Sequence, residues 1–172
     1  MLNLLMNRRS IRKYQTKEVE QEKVEQIIKS ALLAPSSRTR RPWEFIVVTD
    51  KELLQKLAQC KEHSASFLAE APLGVVVIAN SEVCDVWVED CSIAAMIIQL
   101  TAQSLGLGSC WIQVRKRFYD QTQKAEDYVK QVLSIPDKYR VECIISIGYP
   151  AEEKSAYSDN DLAYQKVHYN SF

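Results

Sequence analysis

Glycine is scarce, four in 172 residues, which excludes a collagen-like or Gly-rich low-complexity chain. No apolar run approaches the roughly 20 residues that a membrane helix needs. Charge of one sign is missing too: 22 Lys and Arg balance 22 Asp and Glu, so the molecule as a whole has no reason to seek nucleic acid. Histidine is limited to His63 and His168, and no two cysteines have C-x-x-C spacing, so no metal site is expected. The five cysteines (Cys60, Cys84, Cys91, Cys110, Cys143) are odd in number and scattered. That usage fits buried, reduced thiols in a reducing compartment rather than a disulfide framework. The stretch Met1–Met6 is apolar but brief, and Arg8 and Arg9 follow it, the wrong order for a secretory leader. The cytoplasm is the default expectation.

An apolar fraction of 47% and this length predict one domain, residues 1–172, with a sizeable core. Charge is uneven along it. Residues 1–41 hold ten Lys/Arg against four Glu, while residues 150–172 lean acidic. Leu2–Asn7 reads as a short helix. Over Val19–Ala34, the residues Val24, Ile27, Ile28, Ala31 and Leu32 fall at helical spacing, and Pro35 ends that helix. Pro35–Pro42 is a loop, and Glu44–Thr49 a buried strand. Thr49-Asp50-Lys51-Glu52 has the form of a capping box, opening a helix through Leu53, Leu54 and Leu57. Leu73–Ala79 reads as a strand hidden on both faces. Asp85–Leu105 is a helix apolar around much of its girth, suited to the centre or to a subunit interface. Gly106 ends it. Ser109–Val114 is a short strand, Gln121–Leu133 a polar helix, Val141–Tyr149 a last strand. Residues 150–172, rich in Tyr and acid groups, run over the surface.

The element order is that of a layered protein with a sheet packed among helices. The Gly-rich turn of a Rossmann domain is absent after the first strand. Three motifs can carry chemistry. Arg8-Arg9-Ser10-Ile11-Arg12 offers two forked guanidinium groups, a hydroxyl and backbone N–H groups, a donor set matched to phosphate. Pro35-Ser36-Ser37-Arg38-Thr39-Arg40-Arg41-Pro42-Trp43, pinned by proline at both ends, suits close approach to a planar ligand. Leu105-Gly106-Leu107-Gly108-Ser109-Cys110-Trp111 turns a helix end into a strand, bringing backbone amides to where a ring can lie. Taken singly, each reads equally as a basic turn, a rigid loop or an ordinary helix-to-strand connection. Asp90, His63 and Trp87 stand beside the apolar helix and read as structural.

Together, in this order, the three motifs resemble the nitroreductase family of FMN enzymes, whose pattern runs R-R-S-x-R, P-S-x-x-N-x-Q-P-W and L-G-L-G-x-C-W. Gly148-Tyr149-Pro150 and Lys166-Val167-His168-Tyr169-Asn170 extend the similarity over nearly the whole chain. The resemblance implies an α+β, three-layer fold: a mixed, largely antiparallel central sheet flanked by helices. It implies a homodimer with FMN at each of two subunit interfaces, the 150–172 tail packing on the partner. Arg8, Arg9, Ser10 and Lys154 would hold the phosphate, and Arg12 would sit near flavin N1 and O2. Pro35, Ser36, Ser37 and Thr39 would reach the other subunit's flavin. Trp111, Gln113 and Val114 would face the ring edge near N5. Electrons would pass from NAD(P)H to a small organic acceptor, a nitroaromatic or quinone, in a ping-pong hydride cycle. No protein acid or nucleophile is needed, so no catalytic residue is nominated. Neither nucleic acid nor membrane is an expected partner. The chain departs from the family pattern at Thr39 (usually Asn), Arg41 (usually Gln) and Gln113-Val114 (usually glycine-rich). Those departures motivate the alternative of a non-catalytic or regulatory flavin-binding dimer.

Overall fold

The computed structural model describes residues 1–63 and 65–172. Strands β1 (Trp43–Val48), β2 (Leu73–Asn80), β3 (Gly108–Gln113) and β4 (Tyr139–Gly148) form one sheet in the order β1-β2-β4-β3. Among the described residues every strand pair is antiparallel, and the parallel element is a bridge between Ser10 and Ser109. The central place of β2 explains its run of apolar residues: Leu73 through Ala79 are buried, as a strand covered on both faces must be.

Alternation along the strands divides the core in two. Val75, Val77, Cys143, Ile145 and Ile147 meet helices α2 (Gln21–Leu32) and α4 (Trp87–Ser104) on one face. Val76, Ile78, Ile112 and Ile144 meet α3 (Lys51–Leu57) and α5 (Ala125–Leu133) on the other. A short α1 (Leu2–Asn7) precedes them. The apolar girth of α4 is real: Cys91, Ala94, Ala95, Ile98 and Ala102 are buried, while Ile93 stays 42% exposed on a side that this chain does not cover. Gly106, at φ +76°, ends the α4 connection, a backbone position that favours glycine. Among the described residues no helix is long and apolar enough to cross a membrane.

Two local expectations need correction. The N-cap of α3 is Asp50, whose carboxylate accepts Leu53 N–H at 2.9 Å. Thr49 therefore lies outside the cap, and Glu52 is one position too early to close a box. Helix α5 starts at Ala125, not Gln121. Asp120 Oδ1 accepts the N–H groups of Thr122 (2.7 Å) and Gln123 (2.8 Å), a side-chain turn that competes with helix.

Between Val77 and Ile78 the β2–β4 register slips. Val77 faces Cys143 and Ile78 faces Val141, leaving Glu142 as the extra residue of a β-bulge. All five cysteines are buried and unpaired.

Residues 8–15 form a strap laid across the β3–β4 end of the sheet. Ile11 N–H donates to Ser109 O (3.0 Å) and Gln15 N–H to Tyr149 O (2.9 Å). Two paired glycines make room for it. A Cβ on Gly108 would lie 2.8 Å from Ile11, and one on Gly148 would lie 2.6 Å from Pro72 and 2.9 Å from Tyr14. Buried Tyr14 locks the strap, its hydroxyl donating to Ile11 O (2.6 Å) with Ser146 Oγ at 2.7 Å. Burial, first among its causes, pushes the Tyr14 phenol well above the usual tyrosine range.

Candidate functional site

The strap gathers the basic residues. Arg8 follows the last turn of α1 and is half-buried, and among the described residues its guanidinium makes no hydrogen bond or ion pair. Arg9 is committed: it donates to Ser155 O and lies over the Tyr157 ring, 4.4 Å from the centroid. Lys154 Nζ donates to Ser10 O (2.6 Å), so the tail returns Lys154 to the strap. Glu152 organises the turn, accepting the N–H groups of Arg12 (2.5 Å) and Lys13 (3.2 Å) and standing 3.6 Å from Lys154. Those contacts, the Arg12 N–H foremost, hold its carboxyl below the usual range. The Arg12 guanidinium is 5.7 Å from the Phe67 ring centroid and, among the described residues, has no anionic partner.

Two neighbours report the field here. Burial pushes the Cys110 thiol up, and Arg12, Ser10, Lys154 and Lys61 oppose it. Burial lowers Lys61, and the like charges of Arg117 and Arg12 lower it further. Arg12, Lys154 and Lys61 thus crowd the corner around Cys110, and among the described residues no carboxylate pairs with the Arg12 guanidinium.

Beside the strap runs β3. Ser109 turns its carbonyl outward to Ile11, so strand alternation gives Trp111 and Gln113 the same outward backbone orientation at the open edge. Trp111 Nε1 donates to Gln113 Oε1 (2.8 Å), and Gln113 Nε2 donates to Arg115 O (2.9 Å). Val114 differs: its side chain belongs to the core and its N–H goes to Glu142 O at 3.3 Å. It is a wall residue rather than an available donor.

The Pro35–Pro42 loop is built otherwise. Ser37–Thr39 form a single 3₁₀ turn. Ser37 N–H donates to buried Asp90 Oδ1 (2.9 Å), and Ser36 Oγ accepts Arg41 N–H (2.9 Å). Arg38, Thr39 and Arg41 sit at φ +51°, +57° and +49°, strained for non-glycine residues and most of all for β-branched Thr39. Arg40 pairs with Asp85 at 3.4 Å. Asp90 thereby holds the loop, with Cys84 Sγ 3.4 Å from its second oxygen. His63 is exposed. Trp87 lies beneath Arg115, 5.7 Å away.

One chain does not bring the two regions together. From the Ser10–Ser109 bridge to Trp43, the registers cross three strand spacings and run six residues along β2, from Leu73 to Ala79, roughly 25 Å. Pro35, Ser36, Ser37 and Thr39 are therefore remote from Arg8, Arg9, Ser10, Arg12 and Lys154. Three residues that shape these regions escaped the sequence reading, Glu152, Arg115 and Glu142, and Tyr14 closed the basic stretch there without a role assigned to it. A charged residue inside Val141-Glu142-Cys143-Ile144-Ile145 was the one available signal for Glu142.

The donors at the strap fit a phosphomonoester and a flat anionic ring. Arg8 is an uncommitted forked donor, Ser10 brings a hydroxyl, Arg12 a free cation, and Trp111 and Gln113 an open backbone edge.

The sequence pattern of the nitroreductase family matches residues 5–63 and 58–149. An Archaeoglobus fulgidus protein named "Putative NADH dehydrogenase/NAD(P)H nitroreductase" is 38% identical over 93% of this chain and 91% of its own length. The solved structure of an FMN-dependent nitroreductase from Clostridium difficile R20291 is 59% identical, covers 100% of both chains and superposes with a TM-score of 0.99. Another, from Parabacteroides distasonis and bearing the archaeal protein's name, is 34% identical, with a TM-score of 0.90 over 99% of this chain and 98% of that one.

Proposed function

The chain belongs to the nitroreductase family, and we propose that it is an FMN-dependent NAD(P)H oxidoreductase passing electrons to a small organic acceptor such as a nitroaromatic or quinone. The observation that carries this reading is the strap: Arg12 and half-buried Arg8, whose guanidinium groups have no carboxylate partner among the described residues, set beside Ser10 and the open edge of β3. Arg8, Ser10 and Lys154 would bind the cofactor phosphate, with Arg9 shaping the turn through Ser155 and Tyr157. Arg12 would sit by the ring's pyrimidine edge, where a cation favours added electrons. Trp111 and Gln113 would border N5, and Val114 would close the wall behind them.

Held by Arg8, Ser10 and Lys154, FMN would supply the redox chemistry, hydride transfer from NAD(P)H and electron transfer to a second reactant in a ping-pong cycle. The protein's part is to bind, orient and exclude water. The separation of the Pro35–Thr39 loop from the strap supports a homodimer in which that loop covers the partner's cofactor. Exposed Ile93 on α4 and the exposed tail apolars Val167, Tyr169 and Phe172 are surfaces that a second copy would cover.

The test is direct. Purified protein should be yellow, release FMN on denaturation and bleach with NADH or NADPH. Arg8→Ala should weaken FMN binding by about ten- to a hundredfold, the loss of one charged hydrogen-bond partner. A flavin that neither nucleotide bleaches would overturn the enzyme reading. An unchanged dissociation constant in Arg8→Ala would overturn the phosphate assignment.

A further inference from the structure

One carboxyl group in the apolar core is left over by the cofactor reading. Glu142, the extra residue of the β4 bulge, is 3% exposed, and its Oε2 has no hydrogen-bond partner. The nearest cation, Arg115 Nε, is 3.8 Å from that oxygen, beyond hydrogen-bond reach. An orphaned buried carboxylate oxygen costs free energy, and its presence in a native fold asks for a reason. Burial pushes the Glu142 carboxyl above its ordinary value. Arg115 and the Gln113 amide oppose this, while Glu126 on α5 and Glu89 on α4 add to it. The thiols of Cys91 on α4 and Cys143 on β4 also face it.

From this carboxyl a short polar chain leads to the open edge of β3. Arg115 and Gln113 stand beside Glu142, Gln113 Nε2 donates to Arg115 O, and Gln113 Oε1 accepts the Trp111 indole N–H. Every member has a neighbour in the chain except the orphaned Oε2, where a proton could reside.

We propose that Glu142 is a positioning residue for electron transfer, a buried proton switch acting on Arg115 and Gln113. The proposal rests on the FMN reading for what lies beyond the edge. Ionised, the carboxylate offsets the Arg115 charge. On taking a proton from solvent it becomes neutral, the Arg115 cation is left in excess, and the β3 edge turns more positive. Because burial raises the folded-state value, this change falls at a pH above the ordinary carboxyl value of 4.5. Below the transition the edge favours added electrons; above it that help is lost.

Two readouts test this. In the protein as purified, the Trp111 indole N–H resonance should titrate with a midpoint above pH 4.5. The titration should vanish in Glu142→Gln, persist in Glu142→Asp and move to higher pH in Arg115→Met, which removes the opposing cation. In FMN-saturated protein, the midpoint potential should carry an inflection at the same pH. Glu142→Gln should lose it and lie more positive than the wild type at pH 8. An indole titration unchanged in Glu142→Gln, or one that Arg115→Met does not move, overturns the proposal. If Glu142→Gln fails to fold, the Arg115→Met and Glu142→Asp titrations decide it. Wild-type protein that binds no flavin would instead overturn the cofactor reading, leaving the indole titration to judge Glu142.

Discussion

The strap at residues 8–15 and the loop at 35–42 carry the two sets of candidate contacts, and they are secured in opposite ways. The strap is seated on backbone, with bridges to Ser109 and Pro150 and a floor of two paired glycines fitted to Ile11, Tyr14 and Pro72, and the Tyr14 hydroxyl and Glu152 carboxylate reinforce that seat. None of its residues lies at positive φ. The loop is held by two side chains, Asp90 and Ser36, and keeps three residues in the left-handed region. A site that must grip a charged group gains from a rigid seat that spends no strain. A segment that must fit against a second molecule is built under tension and anchored from below.

The sharpest way to break the comparison is Gly108→Ala. Its Cβ would fall 2.8–2.9 Å from three Ile11 atoms, so the strap must lift as a body. Overpacking of this kind costs about 2–3 kcal/mol. Thermal unfolding should show that loss, and FMN titration a weakening beyond what the lowered stability explains, because Arg8, Ser10 and Arg12 shift together. A variant with wild-type melting and affinity would mean that the glycine floor does not seat the strap.

Asp90→Ala attacks the loop from its anchor. Losing the Ser37 N–H bond and the Cys84 contact should cost about 1–2 kcal/mol, and hydrogen exchange should rise in residues 36–41 but not in 8–15. Equal protection in both segments would remove the distinction between side-chain and backbone anchoring.

The mildest change is Thr39→Gly, which relieves a β-branched residue at φ +57°. Stabilisation should be within about 1 kcal/mol, because the strain relief is partly offset by the greater entropy glycine brings to the unfolded chain. A destabilised variant would show that the Thr39 side chain, rather than the shape of the turn, holds the loop.

Much of this architecture was legible beforehand because local signals agreed with the global fold. Val75-Val76-Val77-Ile78 could only be a doubly covered strand, Pro35 had to end α2, and the basic motif landed on one strap with Lys154 returned to it. The failures have local causes. Asp120 captures two N–H groups that would have begun α5 four residues sooner. The charge of Glu142 inside an apolar run was its one signal, but its place was hidden because strand alternation assigns faces by counting in twos, and a bulge adds one to the count.

The five cysteines, all buried and none bonded to another, give the folded chain no accessible thiol. A colourless thiol reagent in native buffer therefore has nothing to attack until the chain opens. The speed of its colour change becomes a stopwatch on opening events: Cys110 by the strap, Cys84 beneath the Asp90 anchor and Cys143 in the central strand time the fold's separate parts.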